Sequence, residues 1–213
     1  MSREKSGKKK GRRQRALTFM VWCAVVLAIN TVLNIAPLFP FQGRRMQERR
    51  QGIDETRVIW EETEDGGKWD GEYYYLAVNE EVALFSCQQF SIGYGWESGG
   101  AKLLDLHPET PVSAGWLYER SEGATSMYVI GYVKEDAVAS VEYRILRADD
   151  MVDTIAIRPD DYIYDGEQRY YVCNAAEQLM ERSPEDPGYK IFSIHVYARD
   201  AEGNLIYQEK LFD

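Results

Sequence analysis

Residues 200–208, DAEGNLIYQ, set Asp200, Glu202 and Asn204 at alternate positions around Gly203, the oxygen-rich spacing with which a calcium loop begins. An EF-type loop also needs glycine at its sixth position and a bidentate glutamate at its twelfth. Counting from Asp200, Gly203 stands fourth and Leu211 twelfth. The flanks, KIFSIHVYA and NLIYQEKLF, are strand-like. The stretch is therefore expected to be a hairpin turn in which Gly203 supplies a positive φ. A second carboxylate group comprises Asp149, Asp150, Asp153, Asp160, Asp161 and Asp165. Paired carboxylates are what a glycosidase requires, and clustered oxygens bind calcium. These residues sit in RADDMVD and RPDDYIYDG, however, and such acidic runs also mark solvated loops.

The nitrogen and sulfur side chains offer less. Of the two histidines, His107 lies in the turn LHPETP and His195 in mid-strand, on the face opposite the apolar residues. A zinc centre needs several such ligands together, and no motif supplies them. Cys87 and Cys173 are candidates for a disulfide if the domain lies in an oxidising compartment. Two buried free thiols are the alternative. SIGYGWESGG, residues 91–100, lacks the Gly-Lys-Ser/Thr close of a phosphate loop and the Gly-x-Ser-x-Gly of a nucleophile elbow. It reads as a hairpin tip with Trp96 anchored in the core, the alternative being a mobile tip that exposes both Tyr94 and Trp96. Tyr73–Tyr75, Trp116, Tyr162, Tyr164, Tyr170 and Tyr171 are ring faces suited to sugars, but aromatic residues are also favoured in strands, where half must face inward. No catalytic residue, metal or cofactor is assigned, and no enzymatic activity is expected.

The elements that position these residues are mostly strands. From Trp60 onward, short runs rich in Val, Ile, Tyr and Phe alternate with Gly, Asp, Asn and Pro. Strands are expected at 56–62, 72–78, 82–90, 113–119, 126–133, 138–147, 152–158, 168–173, 190–199 and 204–212. A short helix is expected at 174–182, capped by Asn174 and Glu177. In SVEYRIL, Val141, Tyr143 and Ile145 share one face; in FSIHVYARD, Phe192, Ile194, Val196 and Ala198 do. Lys134, Glu135 and Asp136 form a polar connection between two strands. Many short strands with regular turn signals indicate a sandwich or barrel.

The N-terminal quarter differs. Residues 16–39, ALTFMVWCAVVLAINTVLNIAPLF, carry no charge over 24 residues. As a helix they would span about 36 Å at about 1.5 Å per residue, enough for a hydrocarbon core of about 30 Å. The run is longer than a signal-peptide core and lacks a small-x-small cleavage site, so it is expected to be an uncleaved transmembrane signal anchor. Eight Lys/Arg precede it, against Arg44, Arg45, Arg49 and Arg50 just after it. That imbalance places the basic tail, 1–15, in the cytoplasm. Residues 40–58 read as a polar juxtamembrane linker whose four arginines contact membrane lipid. Residues 1–58 hold 13 Lys/Arg and 4 Asp/Glu, and the rest hold 12 and 31, so charges of +9 and −19 sum to the net −10. An acidic domain of this kind repels phosphates and argues against nucleic-acid binding.

YVIGYVKEDAVASVEYRI, followed by the terminal IHVYARDAEGNLIYQ, resembles immunoglobulin-like sandwich domains of bacterial exported proteins. In those domains an x-G-x-V strand leads through a charged turn into V-x-x-V, and the domain ends on a D-x-x-G-N hairpin. The resemblance covers 112–213 and implies a sandwich serving as an adhesion, spacer or binding module. It lacks the antibody-type Cys–Trp–Cys signature. Residues 59–111 would form a small β subdomain or extra N-terminal strands on the sandwich. The expectation is a mainly β, single-pass membrane protein presenting an acidic extracytoplasmic sandwich to a partner protein or cell-wall polymer. The alternatives are an exported envelope-glycan hydrolase using Asp/Glu, and a regulatory subunit of a membrane complex acting through Asn30 and Asn34.

Overall fold

A computed structural model describes residues 4–33, 37–65, 71–91, 95–121, 124–148, 150–175 and 191–212. Helix α1 runs Glu4–Leu33 and α2 runs Pro40–Gln51. Twelve strands follow among the described residues: β1 Arg57–Asp65, β2 Gly71–Val78, β3 Val82–Ser91, β4 Gly95–Asp105, β5 Val112–Ser121, β6 Ala124–Val133, β7 Ser140–Arg147, β8 Val152–Ile157, β9 Ile163–Asp165, β10 Gln168–Asn174, β11 Ile191–Arg199 and β12 Leu205–Phe212. They form three antiparallel four-stranded sheets. Sheet I has the order β1-β2-β3-β4, sheet II β5-β6-β10-β9, and sheet III β12-β11-β7-β8.

The expected β architecture is present, and residues 59–111 add a layer to it. Sheet II is the middle layer. Toward sheet III it presents Met127, Val129, Val133 and Tyr171, which pack with Val141, Tyr143, Ile145, Ile155, Ile194 and Val196. Toward sheet I it presents Tyr128, Ile130, Tyr132 and Tyr170, which pack with Tyr74, Leu76, Phe85, Cys87 and Leu104. Because both faces of β6 are covered, Met127 through Val133 are all buried. This is why MYVIGYV is an unbroken apolar run and SVEYRIL, on a sheet with one wet face, alternates. The outer face of sheet I carries a smaller cluster of Tyr75, Ala77 and Leu84 with Ile53, Val58 and Leu103.

Connections between sheets II and III fix their pairing. Residues 134–139 carry the chain from β6 to β7, and Arg169 holds them, donating to Val138 O at 3.1 Å and Glu135 O at 2.5 Å. The expected turn between β11 and β12 is a hairpin. Gly203 has φ +84°, and Asn204 N–H donates to the Asp200 carboxylate at 2.7 Å. Two strands escaped the sequence reading, the three-residue β9 and β4. The second runs through the glycines first read as a hairpin tip. The helix expected at 174–182 lies outside the described residues beyond Ala175.

The described helices do not by themselves supply the expected anchor. Among the described residues no helix is long and apolar enough to cross a membrane. Helix α1 is displaced toward the N-terminus relative to 16–39 and includes the basic stretch from Glu4 to Arg15. Its side chains are described from 15 to 30. The uncharged part of the helix, 16–33, extends roughly 27 Å at about 1.5 Å per residue, just short of a hydrocarbon core of about 30 Å. Residues 40–58 are likewise not a plain linker, since α2 occupies most of them.

Candidate functional site

The best-defined polar construction is where α2 meets the outer face of sheet I. Phe39 is extended, Pro40 opens the helix, and Gln42 Oε1 accepts from Leu38 N–H at 2.9 Å and Phe39 N–H at 3.2 Å. Gly52 closes it with φ +67°. Proline at the first helical position and glycine just past the last are the ordinary boundary pair. Gly43 and Gln47, four apart, are buried. A Cβ at Gly43 would lie 2.6 Å from the Gln88 side-chain amide, so glycine lets helix and sheet approach. Gln88 is fully buried, donates to Pro40 O at 2.9 Å and accepts from Arg44 N–H at 2.6 Å.

Glu48 is the buried charge of this seam. Its carboxylate accepts from Thr56 N–H at 3.0 Å and Thr56 Oγ1 at 2.5 Å. Arg45 lies at 3.3 Å and Arg44 at 3.9 Å. Arg44 also donates to Thr56 O at 3.2 Å. A buried carboxylate with this many donors is compensated, and removal of its partners would be costly. Arg45 additionally pairs with the exposed Glu55; that hydrogen bond raises the Arg45 guanidinium pKa and holds the Glu55 carboxyl below its usual value.

The chain just before α2 is clamped to β4. Trp96 N–H donates to Pro37 O at 2.7 Å. Gly95, with φ +83°, faces the same carbonyl so closely that a Cβ there would overlap it. Trp96 packs edge-on against Tyr73, with ring centroids 6.2 Å apart, and against Phe90 at 5.6 Å. Of the four arginines expected at a membrane surface, Arg44 and Arg45 are thus half-buried in ion pairs, and Arg49 and Arg50 are exposed.

A second feature is a cleft of about 440 Å³ lined, among the described residues, by Trp60, Glu61, Glu62, Tyr128, Asp161, Val172, Cys173 and Asn174. Its carboxylates come from β1 and from the turn Pro159–Asp161. Glu61 accepts from Tyr73 Oη at 2.6 Å, and Asp161 accepts from Arg158 N–H at 2.8 Å. Among the described residues no group of three His, Cys, Asp or Glu is placed to hold a metal ion.

The remaining sequence candidates scatter. His107 Nε2 lies 2.9 Å from Glu80 O, while His195 stacks on Tyr197, two residues on along the inner strand β11 of sheet III. Asp153 faces Arg147 at 3.5 Å and Asp165 pairs with Arg57 at 2.6 Å. Asp149 and Tyr94 lie outside the described residues. Cys87 and Cys173 are not bonded to each other in the structure. Cys87 belongs to the core between sheets I and II and Cys173 packs between II and III, so the middle sheet lies between them. Tyr74, Tyr75, Tyr170 and Tyr171 are core residues, and only Tyr164 of the tyrosines proposed for sugar stacking is well exposed. Sequence reasoning missed Glu48, Gln88 and the cleft glutamates. Only the Pro40–Gly52 bracket carried a readable signal for α2. Comparison with family models, with curated proteins and with solved structures finds no match to this chain.

Proposed function

We propose that this chain is a membrane-anchored protein that presents its β layers outside the cytoplasm to bind a protein or envelope-polymer partner, without catalysis. The observation that carries the reading is α1. Leu17, Phe19, Met20, Val21, Trp22, Val26 and Ile29 are all exposed on it, with Trp22 64% exposed. Apolar side chains around a whole helix need an apolar medium or another helix to cover them. The uncharged part of the helix runs from Ala16 to Leu33, roughly 27 Å at about 1.5 Å per residue, close to the length a bilayer requires. The basic flank before it favours a cytoplasmic N-terminus. Strand order supports an immunoglobulin-like reading of 112–212. Sheets II and III, β5-β6-β10-β9 and β12-β11-β7-β8, follow the ABED and GFC orders of such domains with one strand added beside C. That fold hosts many binding modules and names no ligand.

The test uses the full chain in cells. Alkaline carbonate should leave it in the membrane pellet, and an impermeant maleimide should label a Gln208→Cys variant on intact cells above the background of the parent chain. Release by carbonate would overturn the anchor. Labelling only after lysis would overturn the orientation.

A further inference from the structure

We propose that the corner formed by residues 37–51 seats the β layers directly on an anionic lipid surface; this rests on α1 being the anchor. Leu33 and Pro37 are four Cα steps apart, so at most about 14 Å separates them. A headgroup layer is roughly 6 Å deep on each side of the hydrocarbon. If α1 ends at the membrane boundary, Pro37 lies within or just above the headgroups. Pro37 is already fastened to sheet I through Trp96 N–H, and α2 is fastened through Gln88 and Glu48. The β layers therefore stand at the surface on a fixed mount, not on a tether.

The side turned away from sheet I has the composition such a mount requires. Gly43 and Gln47 face the sheet, and Phe41, Arg45 and Arg49 recur at four-residue spacing along another face. Leu38, Phe39 and Phe41 are 39%, 46% and 48% exposed, and the two phenylalanine rings stack at 5.8 Å. Exposed Arg49 stands in the last turn. Apolar rings beside arginines, in a protein whose later residues are strongly acidic, complement a surface that is apolar below and negative above. Arg45 serves the protein's own Glu48 and Glu55, and Arg50 lines the seam with Trp96 and Glu97, so Arg49 is the arginine left to lipid phosphate.

The experiment reconstitutes the full chain, with Cys23, Cys87 and Cys173 replaced, into phosphatidylcholine vesicles with or without phosphatidylglycerol. Nitroxide labels are placed at Phe41→Cys and, on the far sheet, at Gln208→Cys; Arg49→Cys is a second seat position should the first perturb folding. Accessibility to oxygen is compared with accessibility to a water-soluble nickel chelate. The label at 41 should favour oxygen several-fold more than the label at 208. The preference should depend on phosphatidylglycerol and be largely lost in Arg49→Gln, while Arg50→Gln, on the side facing sheet I, should retain it. Equal accessibility at 41 and 208 in chains that float with vesicles overturns the seat and leaves the anchor standing. Failure to float overturns both.

Discussion

At Gly131 the backbone forgoes a side chain so that the Tyr171 ring can lie across it. The two residues are register partners, and a Cβ on Gly131 would overlap the Tyr171 ring and hydroxyl. Tyr171 Oη reaches Tyr143 Oη at 2.8 Å, and Tyr143 donates onward to Ile130 O at 2.9 Å. Gly131→Ala should cost about 3 kcal/mol by over-packing a covered strand, read as a lower urea midpoint at unchanged slope. A shift no larger than that of an exposed control would show that the ring moves aside freely. Burial raises the Tyr75 phenol to about 12 and pushes those of Tyr143 and Tyr171 well above their usual value. An unfolded chain releases these protons near pH 10, and the folded chain keeps them. Their stabilising effect is complete below about pH 10 and is lost as pH rises above it, by roughly 1.4 kcal/mol per phenol at about pH 11. Urea melts at successive alkaline pH values should fall more steeply for the parent than for Tyr143→Phe; parallel curves would contradict the assignment.

Helix α2 makes its contacts through polar groups, and that decides how it comes apart. Glu48→Ala leaves the Thr56 N–H and hydroxyl and two arginines without their carboxylate, a loss of about 3 kcal/mol for breaking a buried pair. The expected outcome is early tryptic cleavage at Arg44, Arg45, Arg49 or Arg50 with the strands still intact. An unchanged digestion pattern would mean the seam contributes little. The same polarity explains what the sequence hid. PFQGRRMQERRQ has no apolar period, so a method built on hydrophobic spacing reads it as linker; its buried side is Gln42, Gly43, Gln47 and Glu48. Strand β4 was hidden by Gly95, Gly99 and Gly100, which look like a loop. Yet Gly95 gives Pro37 room, and Gly100 O accepts from Ser86 Oγ at 2.7 Å. The alternating strands of sheet III were legible because one of their faces is wet.

For the molecule as a whole, the three-layer arrangement governs the thiols. Cys87 is fully buried and Cys173 half-buried, on opposite sides of sheet II. Migration of the denatured chain on a gel should be the same with and without reductant. In the native protein a thiol reagent should reach Cys173 well before Cys87, whose reaction should follow global unfolding. Equal rates would mean that sheets I and II separate readily. Pairing of strands with turns was readable in the sequence. The stacking of a third sheet was not, because a covered strand such as β6 shows only that both its faces are dry and not what dries them.

Tyr128, Ile130, Tyr132 and Tyr170 carry a last consequence. Cutting the chain at 112, where β5 begins, would strip sheet I away and leave these four side chains as a sticky wall. The two halves are therefore a single unit of inheritance. A gene fusion or expression fragment that takes the sandwich without the preceding strands should yield inclusion bodies, and one that starts before Arg57 should stay in solution.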